Sequence, residues 1–270
     1  MTSPSADRVA RFRSLHERGI FVIANAWDAG SARILAGLGF PAIATSSGAM
    51  ANTLGRLDGR VRREEAIAHG QALAEAVDVP VAADLENGFG HSPEDAAQTV
   101  LRAAAVGLAG GSIEDYSGEA VYDIAQATDR IAGAVEAART VPGGFVLTAR
   151  AENHIRGRDD LDDTIRRLQA YERAGAEVLF APGLPDLAAV RSVCQSLGKP
   201  FNFMVGIPGK SWPLGDLEAA GVRRVSLATS LYKAAMTGLV AAAREIREKG
   251  SFAYVDAVIS SKELGGYMRH

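Results

Sequence analysis

Eight times along the chain, a short apolar run is followed by a stretch with helical character. The runs cover 21–26, 42–45, 81–86, 111–115, 145–150, 178–181, 201–205 and 225–228. Helical segments follow over 28–38, 63–77, 93–107, 122–139, 160–174, 187–197, 213–220 and 230–249. Strands alternating with helices predict parallel pairing through crossover connections, in either an open sheet or a closed barrel. At 270 residues, the chain is close to the roughly 250 typical of a closed eight-fold barrel. No Gly-x-Gly-x-x-Gly follows the first run, which counts against a dinucleotide-binding open sheet. The expected fold is α/β, a single (β/α)8 TIM-like barrel over 1–270. One further helix, within about 250–262, has no place in the repeat.

The polar residues support closure. Ser46-Ser47-Gly48, Asp84 with Glu86, Glu114, Arg150 and Asn202 all lie at or near the C-terminal parts of different strands. In a barrel those ends meet around one mouth. Asp84 and Glu86 are two apart, so on a continuing strand they project from the same face. Gly88 and Gly90 then break the regular structure. With Asp58 and Glu114 added, that many carboxylates repel one another unless a cation is present. Oxygen donors without histidine or cysteine point to magnesium or manganese rather than zinc. The competing reading of Asp58 is a plain loop aspartate.

Arg150 ends a buried strand and cannot shed its charge, so it needs an anionic partner. A substrate carboxylate suits its planar fork, as would a salt bridge to Glu152 or Glu114. Ser46-Ser47-Gly48 offers hydroxyls and backbone N–H groups as an oxyanion cradle, or else is a packing loop. His69 reads as a surface helix residue. His91 and His154 follow strand ends, where proton transfer is conceivable. Cys194 falls within a helix away from those ends.

A net charge of -3 gives no reason to expect a nucleic-acid partner or an anionic membrane surface. The one cysteine excludes an intramolecular disulfide. The first seven residues lack the apolar core of a signal peptide, and the longest uncharged run, between Arg33 and Arg56, is broken by glycines and Pro41. The expected location is the cytoplasm, with no membrane partner.

Several of these motifs together resemble the isocitrate lyase/phosphoenolpyruvate mutase superfamily. They are Asn25-Ala26-Trp27-Asp28-Ala29-Gly30-Ser31-Ala32, Thr45-Ser46-Ser47-Gly48, Asp58, Asp84-Leu85-Glu86-Asn87-Gly88-Phe89-Gly90, Gly111-Ser112-Ile113-Glu114-Asp115 and Ala149-Arg150-Ala151-Glu152. The resemblance runs from about Phe21 to the eighth strand. It implies a barrel whose last helix is exchanged with a neighbouring subunit, in dimers or tetramers. It implies a magnesium ion near Asp84, held directly or through water by Asp58, Glu86 and Glu114, and a small carboxylate substrate. Ser47, Gly48 and Arg150 would bind the carboxylate and oxyanion, with Ser46, Asn202 and Trp27 completing the substrate site. The shared chemistry is an enolate or related oxyanion stabilised by the metal.

The departures narrow the reaction. The second metal-site aspartate of such proteins is Glu86 in this chain. Their lyases carry a Lys-Lys/Arg-Cys-Gly-His loop after the fourth strand, whereas this chain reads Tyr116-Ser117-Gly118-Glu119-Ala120-Val121-Tyr122-Asp123. The lysine and asparagine of the mutase loop are missing too. The first expectation is a magnesium-dependent lyase or decarboxylase acting on a small 2-oxo or 2-hydroxy dicarboxylate, with Glu119, Tyr116 or His91 as proton donor. The alternatives are carbon–phosphorus chemistry on phosphonopyruvate or phosphoenolpyruvate, and a non-catalytic 2-oxo acid binder.

Overall fold

The computed structural model describes residues 4–269. A helix not anticipated from the sequence, α1 (Pro4–Ser14), comes first. The strands are β1 (Phe21–Asn25), β2 (Ala42–Ala44), β3 (Val81–Asp84), β4 (Gly110–Glu114), β5 (Val146–Arg150), β6 (Val178–Phe180), β7 (Phe201–Met204) and β8 (Arg224–Ser226). Every neighbouring pair is parallel, and β8 closes on β1 through Phe21 opposite Arg224. The eight-fold barrel expected from the alternation is therefore present.

The remaining helices are α2 (Ala29–Gly37), α3 (Ser47–Thr53), α4 (Arg63–Ala76), α5 (Pro93–Ala105), α6 (Ile124–Thr140), α7 (Leu161–Ala174), α8 (Leu187–Gln195), α9 (Leu214–Ala219), α10 (Ser230–Lys249) and α11 (Ser261–Tyr267). Capping explains where several begin. Asp28, Ser92, Asp123, Asp160 and Asp186 each accept from the backbone N–H three residues on, satisfying a donor the helix cannot. Apolar residues fill two main layers. The larger lies between strands and helices. The smaller fills the lower barrel, where Val9 and Phe12 of α1 meet Ile23, Ala42, Ala109 and Val146. Thus α1 plugs the end of the barrel opposite the strand C-termini.

Four local expectations are corrected. The strand carrying Asp84 ends there, and Glu86 adopts φ 48°, so the two acids do not share a strand face. The segment read as a loop at 46–49 begins a helix, because Ser46 caps α3 through a bond from the Ala49 N–H. The single helix expected within about 250–262 is a 3-10 turn, Ala253–Ala257, followed by α11. His69 is half-buried, with Nε2 2.9 Å from the Trp27 carbonyl, so it is not a freely exposed surface residue.

The C-terminal region differs from the rest. No residue of α10 is buried, and Leu239, Val240, Phe252, Val255 and Val258 are exposed. The chain then returns to α2, where Arg33 donates to the Met268 carbonyl at 2.7 Å. No described helix is long and apolar enough to cross a membrane.

Candidate active site

Two adjoining cavities occupy the mouth formed by the strand C-termini. The inner one, about 280 Å³, descends between the strands and is lined by Ser46, Ser47, Gly48, Asp84, Arg150 and Asn202 among others. The outer one, about 1020 Å³, is lined by Glu86, Glu114, Tyr116, Glu119, Arg60 and Arg156 among others. Ser47, Asp58 and Arg150 line both.

Asp84 is held by the backbone around it. Its N–H donates to Thr45 Oγ1 at 2.9 Å, while its carboxylate accepts from the Ser47 N–H at 3.2 Å and the Glu86 N–H at 3.3 Å. One change of direction after β3 and one helix start after β2 thus fix a single carboxylate. Gly48 suits this crowded place, because a Cβ there would lie 3.2 Å from Thr229 Cγ2 and 3.3 Å from Asp58 Oδ2.

Arg150, at the end of β5, lies among three acids. Its Nη1 is 3.2 Å from Glu114 Oε2 and 3.9 Å from Asp84 Oδ1, and its Nε donates to Glu152. The guanidinium also lies over the Phe180 ring, 5.0 Å from the centroid. Burial alone would lower its pKa, but Glu114, Glu152 and Asp84 outweigh that and hold it above the usual value. Arg150 is salt-bridged, and it also lines both cavities. Arg156 is tied to the same Glu152 at 2.8 Å and covers the Tyr116 ring at 3.7 Å.

The acids show strained protonation. Burial, then Asp84 and Asp58, push the Glu86 carboxyl up to about 8. Burial, reinforced by Glu152 and Asp84 against Arg150 and Arg156, raises Glu114 well above the carboxylate range. Negative charge is thus in excess around Asp84. Among the described residues, no three acids, histidines or cysteines converge closely enough to grip an ion as they stand. Oxygen-only donors and unmatched charge fit a hydrated hard cation that touches one or two carboxylates and keeps its waters.

The proton-donor candidates are placed differently. Tyr116 and Glu119 line the outer cavity, with Tyr116 Oη donating to the Gly118 carbonyl at 2.9 Å and Glu119 exposed. His91 lies outside both cavity linings, with Nδ1 2.6 Å from Tyr122 Oη. Trp27 also lies outside both, packed edge-on against Tyr232 at 5.5 Å. Cys194 sits in α8, its thiol pushed up to about 12 by burial.

Sequence reasoning did not single out Arg224, Thr148, Ser226 or Lys233, all of which line the inner cavity. Arg224 reads as half of an Arg-Arg pair before an apolar run. The signal that could have revealed it is period two: Arg224 and Ser226 share a strand face. Asn202 accepts from Arg224 Nε at 2.8 Å and donates to Ser226 Oγ at 3.0 Å, so it lies within the barrel rather than at its rim.

A closed parallel α/β barrel with carboxylates and an arginine gathered at its strand C-termini sets the class of fold to which the chain belongs. Residues 12–247 match the family described as phosphoenolpyruvate phosphomutase. A Burkholderia cenocepacia J2315 protein, provisionally described as a lyase/mutase, has a solved structure with TM-score 0.96 and 43% identity, covering 99% of this chain and 97% of that one. The 2,3-dimethylmalate lyase of Eubacterium barkeri is 32% identical over 225 residues, 78% of this chain and 76% of the relative. An uncharacterized protein of Mycobacterium tuberculosis is 34% identical over 240 residues, 88% of this chain and 89% of the relative. The chain belongs to the phosphoenolpyruvate phosphomutase family, within the PEP mutase/isocitrate lyase superfamily.

Proposed function

We propose that the protein is a magnesium-dependent lyase or decarboxylase of a small 2-oxo or 2-hydroxy dicarboxylate. The observation that carries this reading is Arg150 set between Asp84 and Glu114 at the junction of the two cavities. A relative that acts on such an acid, the 2,3-dimethylmalate lyase, supports it.

Asp84, with Glu86, Glu114 and Asp58 through water, would hold the ion; manganese satisfies the same donors. Bound there, magnesium would polarise the 2-oxygen and neutralise charge developing on it. Arg150 would take the neighbouring carboxylate in its fork. Ser46, Ser47 and Gly48 would bound the oxyanion side, and Asn202 the deeper wall. In a 2-oxo dicarboxylate the bond from the 3-carbon to the distal carboxylate would break, carbon dioxide would leave, and the electron pair would pass into the enolate of the remaining 2-oxo acid, which a proton on the 3-carbon completes. In a 2-hydroxy acid a carboxylate of the mouth would take the hydroxyl proton as the bond between the 2- and 3-carbons breaks, the 2-carbon becoming a carbonyl and the electron pair passing to the 3-carbon fragment, which a proton completes. Tyr116 or Glu119 supplies that proton, because each lines the outer cavity. His91 is the weaker candidate, since Tyr122 holds it outside both linings. Trp27 acts by packing at the rim against Tyr232.

The exposed apolar side of α10 and the segment after it support a homo-oligomer, dimer or tetramer, with the last helix packed on a partner. The test of function is metal-dependent release of pyruvate or carbon dioxide across a panel of oxaloacetate and substituted malates. Turnover of one acid, abolished in Asp84→Ala, is expected; a blank across the panel contradicts the reading. The family's own description favours a second reading, carbon–phosphorus chemistry on phosphonopyruvate or phosphoenolpyruvate. Phosphorus NMR separates the two.

A further inference from the structure

Barrel interiors are usually filled by bulky branched side chains in layers. Here several positions around the inner cavity are small, Ala44, Ala82, Ala83 and Gly111, beside the larger Ile23, Phe180 and Met204. Space consequently runs down from the mouth into the barrel, and at its lower part is Arg224.

Arg224 is 5% exposed, yet no carboxylate pairs with it among the described residues. Its partners are all neutral. Nε donates to Asn202 Oδ1 at 2.8 Å, Nη2 donates to Thr148 Oγ1 at 3.0 Å, and Nη1 is 3.5 Å from His16 Nε2. Burial lowers its pKa to about 9, which leaves the guanidinium charged at neutral pH. His16 adds no second cation, since burial and Arg224 itself hold it neutral down to about pH 3. A guanidinium has five N–H donors, so three contacts leave two without an acceptor among the described residues. An unpaired buried charge is costly unless something compensates it. Every other deeply buried arginine at the mouth or beside it has acids or carbonyls. Arg150 has Glu114 and Glu152, Arg167 has Asp115 and Asp163, and Arg130 donates to the Asn87, Gly90 and Glu114 carbonyls.

We propose that Arg224 is the cation of a second anion subsite, deep in the inner cavity, which receives the distal anionic group of the substrate. Thr148 lies two residues before Arg150 on β5, so Arg224 reaches a layer roughly 7 Å below the Arg150 layer. A short acid whose near end lies against Arg150 can present its far carboxylate, or a phosphonate of the same charge, to that layer. This rests on the function proposed above and deepens it. The substrate is doubly anionic, and the selection is made by a residue outside the family-resembling motifs.

The test is calorimetric binding of two probes in the presence of magnesium. Oxalate carries no distal group beyond the pair that meets the mouth, whereas malate does. Arg224→Met is expected to weaken malate binding at least tenfold and oxalate by less than threefold, and Arg224→Lys to recover part of the malate affinity. Asn202→Asp is the second variant, because it places a carboxylate on Arg224 without changing side-chain size. It is expected to raise the melting temperature and weaken malate in the same selective way, and it tests the proposal even if Arg224→Met does not fold. Wild-type protein that binds oxalate, with malate affinity unchanged in both variants, overturns the subsite and leaves the proposed function standing. Equal losses of oxalate and malate also overturn it. Wild-type protein that binds neither probe overturns both. Recovery of malate selectivity when phosphonoacetate replaces malate assigns the same subsite to a phosphonate.

Discussion

The mouth and the floor of this barrel handle charge in opposite ways. At the mouth, Asp84, Glu86, Glu114 and Glu152 crowd around Arg150 and Arg156, and carboxyls there are pushed towards protonation. On the floor, Arg224 is buried among Asn202, Thr148 and a neutral His16. The mouth has negative charge to spare, and the floor lacks it. A metal ion would relieve the first and an anion the second. Together the two imbalances would orient a small acid along the barrel axis, which neither region would do alone.

Breaking the mouth gives the largest expected effect. Arg150→Met takes from Glu114 and the fully buried Glu152 side chain one of the two arginines they share, leaving Arg156 at 3.8 Å and 2.8 Å. Chemical denaturation is expected to show a loss of about 3–5 kcal/mol, with activity gone. A loss below about 1 kcal/mol would show that Arg156 alone suffices to hold the two acids. Asp84→Asn comes next. It can keep only one of the two backbone bonds, since the amide NH2 cannot accept, and it removes the central charge; turnover is expected to fall on the order of a thousandfold, measured at saturating magnesium.

The outer cavity provides a finer cut. Tyr116→Phe or Glu119→Gln is expected to slow turnover about a hundredfold if that residue gives the proton. His91→Ala should leave the rate within a factor of about three, since the ring lies outside both cavities. The reverse pattern would move the proton donor to the Tyr122 side.

The floor is tested most gently, by pH. The folded-state pKa of His16 is near 3, below the unfolded value of 6.5. Between those values the unfolded chain binds the proton and the folded chain does not. His16 therefore makes stability fall as pH drops through that window, by about 1.4 kcal/mol per unit, and contributes no slope above about 6.5. His16→Gln is expected to flatten this part of the profile, measured by denaturation at pH 4, 5 and 6. An unchanged slope would mean that the imidazole is protonated in the fold.

Much of the barrel was legible because strand alternation, Gly and Pro punctuation and caps such as Ser92 act locally. The mouth was legible for the same reason: Asp84, Glu114 and Arg150 are the polar ends of apolar runs. What escaped depends on tertiary context. Only packing against the lower barrel makes α1 recognisable, since Val9 and Phe12 are its principal apolar anchors. The position of Glu86 turned on a backbone reversal at φ 48° that an acid rarely adopts. Arg224 was not singled out because its neutral partners come from β5, β7 and His16 just after α1, distant in sequence. Burial of His69 depended on a carbonyl 42 residues away.

The central claim is that the mouth takes a small 2-oxygen acid together with a divalent cation at Asp84. Calorimetric titration of oxalate into the wild-type protein, with and without magnesium, tests it most directly. Saturable binding that requires magnesium and disappears in Asp84→Ala is the predicted result. Equal oxalate binding without magnesium, or binding that survives Asp84→Ala unchanged, would contradict it.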